Sequence, residues 1–192
     1  MSEAYKLNEE QEFTYADYQT WELKPGERFE LIHGVAYAMS APNVSHQRIL
    51  MNLSGEFYAF LKGKTCEVFA APFDVRLFYE EDESDDTVVQ PDVVVICDPK
   101  KLNEEGCRGA PDLVVEILSP SNSAIEMQRK LNLYKDAQVR EYWVVDPKNK
   151  NISVYQWQNN TYLLQTHNIK DIVRSGILSG LEIPLSEVFA ES

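Results

Sequence analysis

Two unbroken aliphatic runs constrain this chain most, and each carries one acid. Asp92 stands in Val88-Val89-Gln90-Pro91-Asp92-Val93-Val94-Val95-Ile96, and Glu116 in Leu113-Val114-Val115-Glu116-Ile117-Leu118. Such runs suit central strands covered on both faces. A lone carboxylate there is expensive, because desolvation disfavours its charged form. It persists when a cation, a lysine or a dense set of donors compensates it. Lys130 falls on the helix expected after the second strand. Two acids and a lysine in this order point to a divalent-metal site.

The rest of the pattern supplies the frame. Thr14 can cap a short helix to about Glu22, ended by Pro25-Gly26. Residues 29–39 read as a hairpin turning at His33-Gly34. Asn43 or Ser45 can cap a helix to Leu61, with Ile49, Leu50, Leu53 and Phe57 inward and His46 in the same stripe. Strands are expected over 66–71, 74–79, 88–97 and 112–118, and again over 141–146. A helix over 124–137 should turn Ile125, Leu131, Tyr134 and Ala137 inward. A second hairpin turns at Asn159-Asn160, and a short strand and helical turn close the chain. The strand–helix–strand unit over 112–146 requires a crossover. The fold class is therefore α/β (α+β), a mixed central sheet flanked by helices with additional β-hairpins. Residues 1–12 are expected as a disordered polar tail, and 13–192 as a single domain.

Composition excludes several function classes. No apolar run reaches the roughly 20 residues that span a bilayer, and the N-terminus lacks a basic segment followed by an apolar one. A cytoplasmic protein is expected, with no membrane partner. Cys66, Cys97 and Cys107 form no CxxC pair and are expected as reduced thiols. The net charge of −13 opposes tight unaided binding to duplex phosphate. Part of that charge is local: residues 80–86 hold six acids in seven positions and read as a solvated hairpin loop.

Hard oxygen ligands such as Asp92 and Glu116 suit magnesium or manganese. Lys130 is placed to stabilise charge on an attacked phosphate. Plainer readings stand beside these. Glu126 and Lys130, four apart, make an ordinary surface ion pair. Asp92, following Pro91, can open its strand at a solvent edge.

Six fragments in order carry a resemblance: Phe29-Glu30-Leu31-Ile32-His33-Gly34, His46-Gln47-Arg48-Ile49, Pro72-Phe73-Asp74-Val75-Arg76-Leu77, Val89-Gln90-Pro91-Asp92, the run from Gly109 to Ser121, and the run from Arg140 to Pro147. Together they resemble the Uma-two family, described as restriction endonucleases. That family looks like part of the PD-(D/E)XK nuclease superfamily, which implies a restriction-endonuclease-like fold. The resemblance implies a magnesium- or manganese-dependent endonuclease acting on DNA, with Asp92, Glu116 and Glu30 as metal ligands. The superfamily's usual lysine position holds Leu118 here, and the lysine maps onto Lys130 in the next helix. Glu30 reads equally as an edge-strand surface residue. His46 and Asp74 also match the family pattern, although His46 fits a hydrogen-bonded core histidine as well. Gln90, two residues before Asp92, is a further candidate to face the cleft. The displaced lysine leaves open a catalytically silent binding or assembly module that retains the nuclease fold. A metal-free carboxylate-pair hydrolase would leave Lys130 unexplained. Cutting both strands of a duplex calls for two sites, so a homodimer is expected, with Tyr37, Tyr155, Trp157 and Tyr162 as candidate interface aromatics.

Overall fold

In the computed structural model, which describes residues 12–120 and 122–191, the long run from Val88 to Ile96 divides at Pro91. It was expected as one strand. Proline has no N–H for a ladder bond, and the chain there leaves one sheet for another. In chain order the elements are α1 (Tyr15–Tyr18), β1 (Phe29–Ile32), β2 (Val35–Ala38), α2 (Val44–Leu61), β3 (Glu67–Ala70), β4 (Val75–Arg76), β5 (Val88–Val89) and β6 (Val93–Ile96). After a 3₁₀ turn (Pro99–Lys101) come β7 (Leu102–Asn103), β8 (Gly106–Arg108), β9 (Leu113–Ile117), α3 (Ala124–Asp136), β10 (Glu141–Asp146), β11 (Asn151–Gln158) and β12 (Thr161–Asn168). β13 (Ile172–Arg174), β14 (Glu182–Pro184) and α4 (Leu185–Val188) follow. The expected tail, residues 1–12, lies outside the described residues except for Glu12.

The main sheet runs β12-β11-β10-β9-β6-β3, and only its β9–β10 pair is parallel. That pair is the crossover through α3. A second sheet runs β2-β1-β5-β4-β8-β7. The alternation of β6, β9 and β10 explains why their sequence reads as unbroken apolar runs. Val93, Val95, Leu113, Val115, Trp143 and Val145 pack with the α2 residues Ile49, Leu53 and Phe57. Val94, Ile96, Val114 and Tyr142 pack with Leu133 and Tyr134 of α3 and with Ile32, Val75 and Val89 of the second sheet. Both faces are covered, as central strands require.

Local signals gave the boundaries. Thr14 and Asp17 form a capping box, but α1 ends at Tyr18, short of Glu22. Asn43 caps α2 through His46 N, and Ser123 with Glu126 boxes the start of α3. Both hairpin turns use positive φ, at His33 and Gly34 and at Asn159 and Asn160.

Non-local pairings gave the corrections. Cys66 and Cys97 are joined in a disulfide rather than free. Glu67 faces Ile96 across β3 and β6, so the next residues outward meet although 31 positions separate them. Asp85, expected in solvent, is buried against the Arg76 guanidinium. On α3 the inward face is rotated: Ile125 is 73% exposed, while Leu133 and Tyr134 are buried. The interface aromatics are engaged within the chain. Tyr155 stacks on Tyr142, Trp157 meets the Tyr162 edge, and the Tyr162 hydroxyl donates to the Val139 carbonyl. Among the described residues no helix is long and apolar enough to cross a membrane.

Candidate active site

Four elements deliver the predicted residues to one cavity of about 190 Å³. Glu30 comes from β1, Asp92 from the residue before β6, Glu116 from β9 and Lys130 from α3; His46 and Gln90 line it as well. The register accounts for the central pair. Val93 faces Val115 across β6 and β9, so one step further puts Asp92 opposite Glu116. Lys130 lies beneath them because the crossover returns α3 over that face.

Lys130 Nζ donates to Glu30 Oε1 at 2.5 Å and to Glu116 Oε1 at 2.9 Å. The Tyr134 hydroxyl donates to the same Glu116 oxygen at 2.5 Å. Glu126, the lysine's expected partner, instead accepts from Ser123 N as a helix cap. Asp92 Oδ2 accepts from Ile117 N at 2.6 Å, and His46 Nε2 lies 3.2 Å from Asp92 Oδ1. The backbone N of Gln90 donates to Glu30 Oε1 at 2.9 Å. Gln90 Nε2 donates to Asp74 Oδ1 at 2.8 Å. Asp74 is thus behind the cavity wall, reaching it only through Gln90. Two buried atoms here, Gln90 Oε1 and His46 Nδ1, have no hydrogen-bond partner among the described residues.

The charges are strongly coupled. Burial pushes the Glu116 carboxyl up to about 7; Lys130 opposes this, while Glu30 and Asp92 add to it. Burial would lower the Lys130 pKa, but Glu116 and Glu30 outweigh it and raise it. His46 follows the same logic, with burial overcome by its bond to Asp92. Asp74 is raised, mainly by burial. Lys130 serves two of the three carboxylates, Glu30 and Glu116, and His46 lies beside the third, Asp92.

That donor set is all hard oxygen, the kind magnesium and manganese take. Among the described residues, however, no group of three or more His, Cys, Asp or Glu side chains is drawn together tightly enough to chelate an ion. Lys130 stands between two of the three acids. Sequence reasoning missed Tyr134, which it read as apolar stripe, and the arginines Arg28 and Arg129 that line the same cavity.

The fold and the cleft define a mixed α+β protein of nuclease-like architecture. Its likeness to a crystal structure of "a putative nuclease belonging to DUF820" from Anabaena variabilis has a TM-score of 0.74. The match covers 92% of this chain and 97% of that one at 19% identity. The chain belongs to the Uma2 family, described as "Putative restriction endonuclease", whose model matches residues 15–186. It is also 30% identical over 140 residues to the "Uncharacterized protein slr1290" of Synechocystis sp., covering 72% of this chain and 71% of that protein.

Proposed function

We propose that this chain is a divalent-metal-dependent endonuclease hydrolysing DNA phosphodiester bonds. The observation that carries the reading is the convergence of Glu30, Asp92, Glu116 and Lys130 on one cavity, in a member of a family described as a restriction endonuclease. Asp92, Glu116 and Glu30 would hold magnesium or manganese. Such an ion, when bound, acidifies water and stabilises charge on a phosphoryl oxygen. The chain's own groups do the rest. Lys130 offers a fixed positive charge to the attacked phosphate. His46 and Ile117 N hold the Asp92 carboxylate, Tyr134 holds Glu116, and Gln90 N holds Glu30. Asp74 fixes which way the Gln90 amide points.

Cleavage of supercoiled and single-stranded DNA, titrated with magnesium and manganese, tests this. Cleavage should need the ion, stop with chelator and fall more than about 100-fold in Asp92→Asn, beyond the 10–100-fold typical of losing an outer partner. Cleavage that persists in chelator overturns it.

One observation favours a second reading, a catalytically silent module retaining the fold. Lys130 already bridges Glu30 and Glu116, so the acids have a counter-ion of their own. DNA bound but never cut, with either ion, would select it.

Assembly and location belong to the same proposal. A two-fold homodimer in the cytoplasm would present two clefts to a duplex. The edge strand β12 exposes Leu163 and Leu164 and contains no Asp, Glu, Lys, Arg or Pro to discourage pairing. Light scattering that gives one 22.1 kDa chain at micromolar concentration excludes the dimer.

A further inference from the structure

Seven arginines are present, and four of them are spent on acids. Arg76 pairs with Asp85, Arg108 with Glu105, Arg140 with Asp112 and Arg174 with Glu182. Arg28, Arg48 and Arg129 have no carboxylate partner among the described residues. Two of these three, Arg28 and Arg129, line the cavity that holds Glu30, Asp92 and Glu116. In a chain of net charge −13, these are two cations of the cavity that no acid of the described residues neutralises.

Their placement follows from the elements. Arg28 lies two residues before Glu30, the spacing that keeps neighbours on one side of a strand. Arg129 directly precedes Lys130 on α3, about 100° around the helix. The Arg129 guanidinium carbon lies 4.1 Å from the centre of the Tyr37 ring on β2. A guanidinium stacked by its face keeps its N–H edges available for two-point bonding to phosphate. Tyr37 therefore holds the arginine in place without neutralising it.

We propose that Arg28 and Arg129 are the phosphate grip of this cleft, with Tyr37 as the positioning residue of Arg129, and that the grip selects a single strand over intact duplex. The proposal rests on the nuclease reading for the identity of the ligand. Its reason is number. Proteins that hold duplex DNA by charge commonly make about 6–10 phosphate contacts. With no metal ion in the cleft, the condition of the test below, the third cation of this cavity, Lys130, stays committed to Glu30 and Glu116, which leaves two. Two contacts on a single strand give log K against log salt a slope of about −1.4, a loss of roughly sevenfold between about 50 and 200 mM salt. The acidic remainder of the surface repels the second strand of a duplex, and two arginines do not offset it.

Fluorescence anisotropy with a short labelled single strand and its blunt duplex, in chelator so that nothing is cut, is the test. The single strand should bind more tightly, with a slope near −1.4. Arg28→Ala and Arg129→Ala should each weaken it several-fold and reduce the slope to about −0.7. Tyr37→Leu should weaken binding with the slope unchanged, since the charge count is the same, and Tyr37→Phe should restore it. Unchanged thermal melting shows that each variant is folded. Tighter binding of the duplex, no binding of either, or slopes indifferent to both arginines overturns the proposal. Cleavage assayed separately distinguishes the two claims: arginine-dependent binding without cleavage leaves the grip standing and removes the nuclease.

Discussion

Glu116 and Glu141 occupy adjacent parallel strands, three residues apart along the register, yet they are compensated in opposite ways. Glu141 pairs with Leu113 on β9, and Glu116 with Val144 on β10. Glu141 is fully buried and surrounded by neutral donors: Trp143 Nε1 and Gly176 N, each at 2.7 Å, with Gln156 Nε2 at 3.4 Å. Glycine at 176 lets the loop close on it without displacing the Gln156 side chain. A Cβ there would meet Gln156 Nε2 at 2.6 Å and Glu141 Oε2 at 3.2 Å. Glu116 is balanced by a lysine and crowded by two further acids beside an open cavity. An acid in an apolar strand thus marks only a compensated charge. Neutral donors make an internal brace, whereas other charges around a cavity make a candidate site.

Four substitutions sharpen or break that contrast. The largest effect is expected in activity: Glu116→Gln should cut metal-dependent cleavage more than about 100-fold, as for Asp92, while thermal melting stays near wild type. Full activity in that variant would reduce Glu116 to a second brace. Next, Lys130→Met leaves Glu30 and Glu116 facing each other unpaired. It should cost about 3–5 kcal/mol of stability, read by urea denaturation, as breaking a buried ion pair does. Adding Glu30→Gln should restore part of this, because the two changes share one network.

The smallest effect belongs to Glu141→Gln. An amide nitrogen carries two N–H groups and accepts nothing, whereas even a protonated carboxyl keeps an acceptor lone pair on each oxygen. One donor therefore loses its partner at a cost of about 1–3 kcal/mol, with cleavage per folded molecule retained. This deficit should depend on pH. Burial raises the folded pKa of Glu141 against its hydrogen bonds to Trp143 and Gly176. Its contribution is therefore whole below the ordinary carboxylate pKa of about 4.3, and is lost as pH rises through the raised folded value. Urea midpoints of wild type and variant should be furthest apart near pH 4 and converge toward pH 7. A gap that widens with pH would mean the donors outweigh burial.

What sequence made legible was local or anomalous. Caps at Thr14, Asn43 and Ser123, the turns at His33-Gly34 and Asn159-Asn160, and the crossover between β9 and β10 are written in neighbouring residues. Asp92 and Glu116 stood out because acids interrupt apolar strands. Lys130 fell on the helix expected after the second of these strands, the resemblance added Glu30, and all four line one cavity. The same rule gave no warning about Glu141, which opens its strand and looks like a boundary residue. The pairing of β8 with β4 and the Cys66–Cys97 bond arise from contacts distant in sequence. Arg28 and Arg129 were invisible for another reason: an arginine beside a strand or along a helix is ordinary in any soluble chain.

Lys130 has a further consequence. An ammonium anchored on α3 and held within 2.9 Å of two carboxylates is a tethered competitor, present at the same local concentration however dilute the medium. If the cleft takes a divalent ion as proposed, that ion must compete with Lys130 for Glu30 and Glu116, and the resting cleft would take it up weakly. A phosphate offers Lys130 an alternative partner. When the lysine turns to it, the two glutamates lose their internal counter-ion and their demand for an external one rises. Under the proposed nuclease function, occupancy by ion and by nucleic acid would then rise together.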